Sequence, residues 1–261
     1  MKPATIIAAV VVTGLLGAST WGFRTRGEPA ARLRTGTPVV VELFSSEGCS
    51  TCPPADEYIA TLDRVQPIDG VQVIALELHV DYWDRLGWTD PFGSHDFSER
   101  QAQYARVLPN HAVFTPEIVF DGNVLMVGGD EDVARAQMLE AAKDAKARVA
   151  IELTGHGKLS IAITDAPEAG GADVLEAWLA VTESHLESEV GAGQNMGRVL
   201  SHAPIVRQLR KLGVVENGAF RIETQVDIPM SWKPSALRFV AFAQRAGSRK
   251  IVGAGACNAR D

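Results

Sequence analysis

Two cysteines separated by two residues, Cys49 and Cys52, mark the point where an apolar strand gives way to a helix. The run from Val39 to Phe44 predicts a buried strand, and Pro53 begins the rigid, acidic first turn that is typical of helices. We therefore expect Cys49 at a helix N-terminus. There the backbone amides and the helix dipole lower a cysteine pKa from about 8.5 to about 3.5–7.5.

This spacing predicts a redox-active dithiol. A mixed disulfide formed on Cys49 can be resolved by Cys52, which lies close enough to close a small ring. A structural zinc site is poorly supported, because it needs four ligands and the third cysteine, Cys257, is far along the chain. An inert disulfide remains an alternative, although so small a ring removes little entropy from the unfolded chain.

The second informative segment surrounds Pro116. Because proline is tolerated at the first residue of a strand, Pro116 is expected to open a strand from Glu117 to Phe120. Asp121 and Gly122 predict a tight turn into a second strand, and an amphipathic helix is expected to follow to about residue 146.

From residue 37 to 147 the predicted elements follow the order β-α-β-α-β-β-α, which resembles the thioredoxin fold. The resemblance implies that Pro116 is cis and packs beside the sulfurs of Cys49 and Cys52, and that Thr115 and Pro116 dock substrate. From residue 148 to 261 short strands alternate apolar and polar residues, the pattern of a small β-sandwich. The predicted fold is thus an α/β thioredoxin-like domain followed by a small all-β sandwich domain.

Three strings are distinctive enough to indicate a family. They are LFSSEGCSTCPPAD from Leu43, HVDYWDRLGW from His79 and NMGR from Asn195. Together they resemble a secreted, thioredoxin-like bacterial family known only as domain of unknown function 1223. The resemblance implies a fold and a site, and it assigns no substrate.

Glu42 lies in the middle of the first apolar run, where a buried carboxyl group tends to have a raised pKa. Thioredoxin-like enzymes place an acid at a similar depth behind the second cysteine, so the resemblance implies that Glu42 takes the proton from Cys52. The alternative is that strand alternation points Glu42 into solvent.

Aromatic and titratable residues cluster after the second predicted strand, at the type of strand end where α/β sheets bind ligands. Trp83 and Trp88 are the candidate substrate contacts. The alternative is a loop that packs its own tryptophans as a lid. His79, beside the two cysteines, also raises the alternative of copper binding.

The N-terminus indicates export. Residues 1–20 resemble a signal peptide, and residues 4–20 could instead remain as an inner-membrane anchor. Residues 21–36 are expected to be a linker. The predicted location is therefore periplasmic or secreted, where a thiol pair has disulfide partners.

A net charge of −7 argues against nucleic-acid binding. No cofactor or metal is predicted. We expect a thiol-disulfide oxidoreductase-like protein whose partners are protein or small-molecule thiols and disulfides and an electron-transfer protein. The alternative is a non-catalytic partner-binding or copper-binding protein. Cys257 is expected to lie in a mobile tail without a redox role.

Overall fold

The computed structural model describes residues 35–109, 112–127, 130–168, 173–202 and 204–259. The predicted signal segment and most of the predicted linker lie outside these residues. Among the described residues, no helix is long and apolar enough to cross a membrane.

The first half of the chain alternates strands and helices close to the positions that the sequence predicts. The apolar run, the proline-initiated first helix and the Asp121–Gly122 turn all appear where local signals place them. In chain order the elements are β1 (Thr37–Ser45), α1 (Pro53–Val65), β2 (Val71–Val80), β3 (Gly93–Ser94), α2 (His95–Val107), β4 (Glu117–Phe120), β5 (Val124–Val127) and α3 (Glu131–Ala141).

The second half contains strands and no α-helix within its described residues. Alternating apolar side chains and turn residues again mark these strands in the sequence. They are β6 (Arg148–Gly155), β7 (Lys158–Thr164), β8 (Leu175–Glu183), β9 (Leu186–Glu189), β10 (Val199–His202), β11 (Ile205–Val214), β12 (Phe220–Gln225), β13 (Leu237–Arg245) and β14 (Ile251–Asn258).

The predicted fold class, a thioredoxin-like α/β domain followed by a separate β-sandwich, is wrong. Strands from both halves form one mixed nine-stranded sheet in the order β14-β13-β8-β11-β2-β1-β4-β5, with β3 also paired to β2. The halves join where β11 pairs in parallel with β2, at Ile205 and Glu77. A pairing between residues so distant in sequence leaves no local signal, and the sequence therefore suggested two units.

Both faces of this sheet are covered. Val40 and Phe44 of β1 face α2, in a core that extends to β13 and β14. Val39 and Val41 face α1 and α3 on the opposite side. The three-stranded sheet β12-β7-β6 packs against β8 and β13. The structure is thus a layered, predominantly β protein in which β1 and β2 are central and buried.

Cys257 lies in β14 and is 9% exposed, so the expectation of a mobile tail is wrong. The last strand continues past the alternation visible in the sequence because it pairs with β13, with Cys257 opposite Phe239.

Candidate functional site

A disulfide joins Cys49 and Cys52, with the two Cα atoms 5.5 Å apart. Both residues belong to the loop between β1 and α1, here called the CxxC loop (residues 46–52). Cys52, not Cys49, is the N-cap residue of α1, and its backbone N–H donates to the Cys49 carbonyl oxygen at 3.3 Å. The helix begins at Pro53, as the sequence predicts, but Cys49 lies three residues before its N-cap and so outside the helix end where it was expected.

The disulfide is shielded from solvent. Cys49 is 1% exposed and Cys52 is fully buried, whereas Ser50 and Thr51 between them are exposed. The Cys49 Sγ atom lies 3.4 Å from Thr51 Oγ1 and 3.8 Å from the Thr115 carbonyl oxygen. The Thr115–Pro116 peptide bond is cis, as predicted. The structure therefore places Thr115, one of the predicted substrate-docking residues, against the Cys49 sulfur.

The loop between β9 and β10, here called the cover loop (residues 191–198), lies over the CxxC loop. The side-chain amide of Asn195 donates to the carbonyl oxygens of Glu47, at 2.8 Å, and Cys49, at 2.9 Å. Gln194 Oε1 accepts a hydrogen bond from the Ser50 backbone N–H at 3.1 Å. The sequence contained a signal for this contact, the distinctive string that begins at Asn195, but gave no partner for it.

Both predicted tryptophans adjoin the site and use their indole N–H groups within the protein. Trp83 Nε1 donates to Thr115 Oγ1 at 2.8 Å, and Trp88 Nε1 donates to Glu47 Oε2 at 2.7 Å. Each side chain is half-buried. Their contacts position the CxxC loop and Thr115, which matches the lid-like alternative, and each tryptophan remains partly exposed.

Glu42 is fully buried in a different part of the molecule from its predicted partner. Its carboxylate forms an ion pair with Arg100 at 2.6 Å and accepts a hydrogen bond from the Tyr104 hydroxyl group. Glu42 lies on the α2 face of β1, as Val40 does, whereas α1 covers the other face. The structure therefore does not bring Glu42 to Cys52, and its charge is balanced by Arg100 instead.

Asp56 is the buried acid that the sequence reasoning missed. It lies one helical turn after Cys52, with its backbone N–H donating to the Cys52 carbonyl oxygen at 3.1 Å. Burial, and repulsion from Glu77, raise the pKa of Asp56 to about 7, although Ser45 Oγ donates to the carboxylate at 2.5 Å. Its position four residues after Cys52 was the available signal.

A second cluster of buried polar residues lies beneath the CxxC loop. His79 Nε2 and His202 Nδ1 lie 3.0 Å and 3.1 Å from the same oxygen, Oε1 of Glu77. The other ring nitrogens contact Asp90 Oδ2, at 2.8 Å, and Glu47 Oε1, at 3.1 Å. No local sequence signal indicated that His202 meets His79, because the two residues lie on distant segments.

The ionisable groups of this cluster shift one another's pKa values. Burial opposes the charged form of His79, but Asp90 and Glu77 raise its pKa well above the usual value. Burial also opposes charge on His202, but Glu47 and Glu77 raise its pKa to about 9. The cluster therefore attracts positive charge, in the form of protons or of another cation.

Comparison with solved structures shows two similar folds. A protein from Agrobacterium tumefaciens, solved by X-ray crystallography as a structural genomics target, is 24% identical, with a TM-score of 0.64. The alignment covers 87% of this chain and 96% of that one. HBP35 of Porphyromonas gingivalis is 17% identical, with a TM-score of 0.62, over 87% of this chain and 76% of that one. At these identities the likeness concerns the fold alone.

No curated protein sequence matches the chain. A family model described as a protein of unknown function, DUF1223, matches residues 40–244, a range that contains the disulfide, the cover loop and the buried polar cluster. The match spans most of the chain, and the chain therefore belongs to the DUF1223 family.

Proposed function

We propose that this protein exchanges disulfides with thiol-containing proteins or small molecules through Cys49 and Cys52. One observation carries the proposal. The two cysteines pair across two residues at the junction of β1 and α1, with the Thr115 backbone against the Cys49 sulfur. A ring this small contributes little to stability by restricting the unfolded chain, so a chemical role explains it better than a structural one.

Exchange proceeds in two balanced steps. In the oxidising direction, a substrate thiolate attacks Cys49 Sγ, a mixed disulfide forms and Cys52 leaves as a thiolate. A second substrate thiolate then attacks the substrate sulfur of that mixed disulfide and releases the Cys49 thiolate. Two electrons pass from the substrate to the protein. The reducing direction is the same sequence reversed, with reduced Cys49 attacking a substrate disulfide.

The surroundings favour Cys49 as the sulfur that reacts with substrate. The Thr51 hydroxyl group, 3.4 Å from Cys49 Sγ, can donate a hydrogen bond to a thiolate there, and Thr51 itself is exposed. Cys52 is fully buried at the start of α1, where the helix dipole stabilises it as a leaving thiolate.

Asp56 replaces Glu42 as the proposed proton acceptor for Cys52. A general base works best when its pKa lies near the working pH, and the pKa of Asp56 is raised to about 7. Asp56 is also fixed by α1 one turn from Cys52. Glu42 is committed to Arg100 on the other face of the sheet.

Substrate is proposed to approach along Thr51, Thr115 and Pro116, with the exposed part of the Trp83 ring at one side. Because Cys49 is 1% exposed, the cover loop has to move away from the CxxC loop before an attack can occur. The Asn195 hydrogen bonds are the contacts that such a movement breaks.

The proposal extends to location and partners. Export by residues 1–20 places the protein where a disulfide persists, and an electron-transfer partner is needed to reset the cysteine pair after each exchange. A dithiol mechanism uses no bound cofactor.

The test is a reduction potential combined with turnover. Equilibration of the full chain with glutathione buffers, followed by thiol trapping, measures the potential. We expect a value between about −270 and −120 mV, as for exchange enzymes; a value below about −300 mV would indicate a structural disulfide and the non-catalytic alternative. Insulin reduction, or oxidation of a reduced substrate protein, measures turnover.

Variants make the test specific. Cys49→Ser should abolish exchange, and Cys52→Ser should accumulate a mixed disulfide on Cys49. The matched control is Cys257→Ala, which removes a cysteine from β14 and should leave turnover within about twofold. Loss of turnover in the control would show that the two-cysteine mechanism is wrong.

A further inference from the structure

The buried polar cluster beneath the CxxC loop has the composition of a metal site. Glu77, His79 and His202 each offer one ligand atom, and these atoms all lie within 4.8 Å of one another. Glu77 and His79 project from the same face of β2, two residues apart, and His202 comes from β10. All three side chains are 0% exposed.

In both imidazole rings, the nitrogen that faces away from Glu77 contacts a second carboxylate. His79 Nδ1 lies 2.8 Å from Asp90 Oδ2, and His202 Nε2 lies 3.1 Å from Glu47 Oε1. Histidines that bind metals usually donate the N–H of the second ring nitrogen to a carboxylate or carbonyl group, which fixes the tautomer and the ring orientation. If both outer nitrogens donate to these carboxylates, the inner nitrogens of both rings are the ones available to bind a metal ion beside Glu77.

The three carboxylates differ in how their oxygens are satisfied. Asp90 accepts from the backbone N–H groups of Glu47 and Phe92, at 2.8 Å and 2.9 Å. Glu47 accepts from Trp88 Nε1 and from the Ser188 hydroxyl group. Asp90 and Glu47 thus accept hydrogen bonds from uncharged protein groups.

Glu77 lacks such donors. Among the described residues, its Oε1 atom has hydrogen bonds with the two imidazoles alone, and its Oε2 atom is buried without a hydrogen-bond partner. Burying a carboxylate oxygen without a partner is costly, and the strongest partner for it between two imidazoles is a cation.

We propose that Glu77, His79 and His202 bind a divalent first-row transition-metal ion, with Zn²⁺ as its representative, and that Asp90 and Glu47 orient the two histidines. Two imidazoles and one carboxylate suit Zn²⁺, Fe²⁺, Ni²⁺ or Cu²⁺ better than the oxygen-seeking Mg²⁺ and Ca²⁺. The site is separate from the cysteine pair, and the proposal does not depend on the proposed exchange activity.

Two of the three ligand–ligand distances match those around a common ion, and the two imidazole nitrogens lie within 4.8 Å of each other. Ligands about 2.1 Å from a metal and about 90–110° apart are separated by about 3.0–3.4 Å. Oε1 of Glu77 is 3.0 Å from His79 Nε2 and 3.1 Å from His202 Nδ1. The Phe92 ring lies against both imidazoles, with centroids 5.7 Å and 5.5 Å away, and excludes water from this side.

The proposed ion also has a structural consequence. Glu47, the outer partner of His202, precedes Cys49 by two residues, and its backbone N–H is bonded to Asp90, the outer partner of His79. A bound ion therefore fixes the base of the CxxC loop through both histidines. Because the site is buried, the metal enters during folding, so binding adds to stability.

The first experiment measures metal in the full chain, purified without a metal-affinity step and with its disulfide intact, so that Cys49 and Cys52 are not available as ligands. Elemental analysis should find about one first-row transition-metal ion per chain. The protein is then unfolded in guanidinium chloride with a chelator, freed of metal and refolded with Zn²⁺, with Co²⁺ or without metal. Refolding with Zn²⁺ should raise the melting temperature by about 5 °C or more, and Co²⁺ should give visible d–d absorption.

The variant His202→Gln keeps a polar side chain of similar reach and should reduce the metal content below about 0.1 per chain. The matched control, His156→Gln, changes an exposed histidine in the β6–β7 turn and should retain the metal.

If His202→Gln does not fold, the Co²⁺ spectrum and melting temperature of the unaltered chain decide. Less than about 0.1 metal ion per chain, with no Co²⁺ spectrum and no change in melting temperature, would overturn the proposal and show a pair of imidazolium ions instead. Binding of Mg²⁺ or Ca²⁺ alone would also overturn it.

Discussion

The side-chain amide of Asn195 donates a hydrogen bond to the carbonyl oxygen of Cys49 at 2.9 Å, across 146 residues of sequence. The same amide group also donates to the Glu47 carbonyl oxygen. One residue of the cover loop thus fixes the backbone on which the disulfide is built. Access to the disulfide and the order of this loop should therefore change together.

We predict that Asn195→Ala accelerates reduction of the Cys49–Cys52 disulfide by dithiothreitol. Hydrogen bonds of this kind contribute about 1 kcal/mol each, so the loss of both should increase the reduction rate by about threefold to thirtyfold. Quenched alkylation and mass spectrometry measure the rate. The control is Ser201→Ala in β10, whose hydroxyl group has a hydrogen bond with the exposed Glu187. Equal rates in both variants would show that the cover loop does not limit access.

The second prediction concerns Asp56. Its pKa is raised to about 7, so it becomes able to accept the Cys52 proton as the pH rises through 7. Resolution of a mixed disulfide on Cys49 should accelerate over this range in the unaltered protein. In Asp56→Asn it should be slower by about 10-fold to 100-fold at pH 8, with the acceleration near pH 7 lost.

Stopped-flow measurement of mixed-disulfide decay from pH 5.5 to 8.5 checks this expectation. Glu57→Gln is the matched control, because it removes a carboxylate from the same turn of α1 at an exposed position. If Asp56→Asn kept the pH profile of the unaltered protein, the proton acceptor would be a different group.

Local sequence signals located the elements well and their assembly poorly. Pro53, the Asp121–Gly122 turn and the alternation in β6 and β7 act over a few residues, and each marks an element that the structure contains. The pairing of Ile205 with Glu77 depends on which edge of the first-half strands is free to accept another strand. No local pattern encodes that choice, so the continuous sheet could not be anticipated.

In the candidate site, too, the local contacts could be predicted from the sequence and the long-range contacts could not. The spacing of Cys49 and Cys52 was sufficient to predict their disulfide, because the contact is local. Glu42 was assigned to the wrong neighbour because depth in a strand does not reveal which helix covers each face. Glu77 and His79, two apart on one strand, were a visible signal of a shared face. Their meeting with His202 required the fold.

A third prediction uses Glu117, which is fully buried with its Oε1 atom lacking a hydrogen-bond partner among the described residues. Burial raises the pKa of Glu117 from 4.5 to about 7, although the Gln101 side chain donates to the carboxylate. Between these pH values the folded protein holds a proton that the unfolded chain has released. The contribution of Glu117 to stability should therefore fall as the pH rises from 4.5 to 7.

Glu117→Gln removes this ionisable group, so the part of the pH dependence of the free energy of unfolding that is due to Glu117 should disappear. Because one pKa unit corresponds to about 1.4 kcal/mol, the variant should be more stable than the unaltered protein by about 3 kcal/mol at pH 8 and similar to it at pH 4.5. Urea unfolding at a series of pH values measures the difference. Glu152→Gln, at an exposed position of β6, is the control and should leave the pH dependence unchanged.

The last prediction concerns Gly48, where the CxxC loop passes against Trp83. A Cβ atom at Gly48 would lie 2.9 Å from Trp83 Cβ, so the loop or the tryptophan has to shift in Gly48→Ala. Overpacking of this kind costs about 1–3 kcal/mol. Because Trp83 also donates to Thr115, the displacement should reach the wall of the disulfide site and change its reduction rate.

Urea unfolding measures the cost in Gly48→Ala, and dithiothreitol reduction reports on the disulfide. Gly155→Ala is the matched control, because a Cβ there meets only Lys158 Cβ, at 3.8 Å, an ordinary contact. Gly155→Ala should change stability by less than about 0.5 kcal/mol and leave the reduction rate unaltered. If Gly48→Ala behaved as this control does, the contact between the CxxC loop and Trp83 would not be the restraint that holds the disulfide against Thr115.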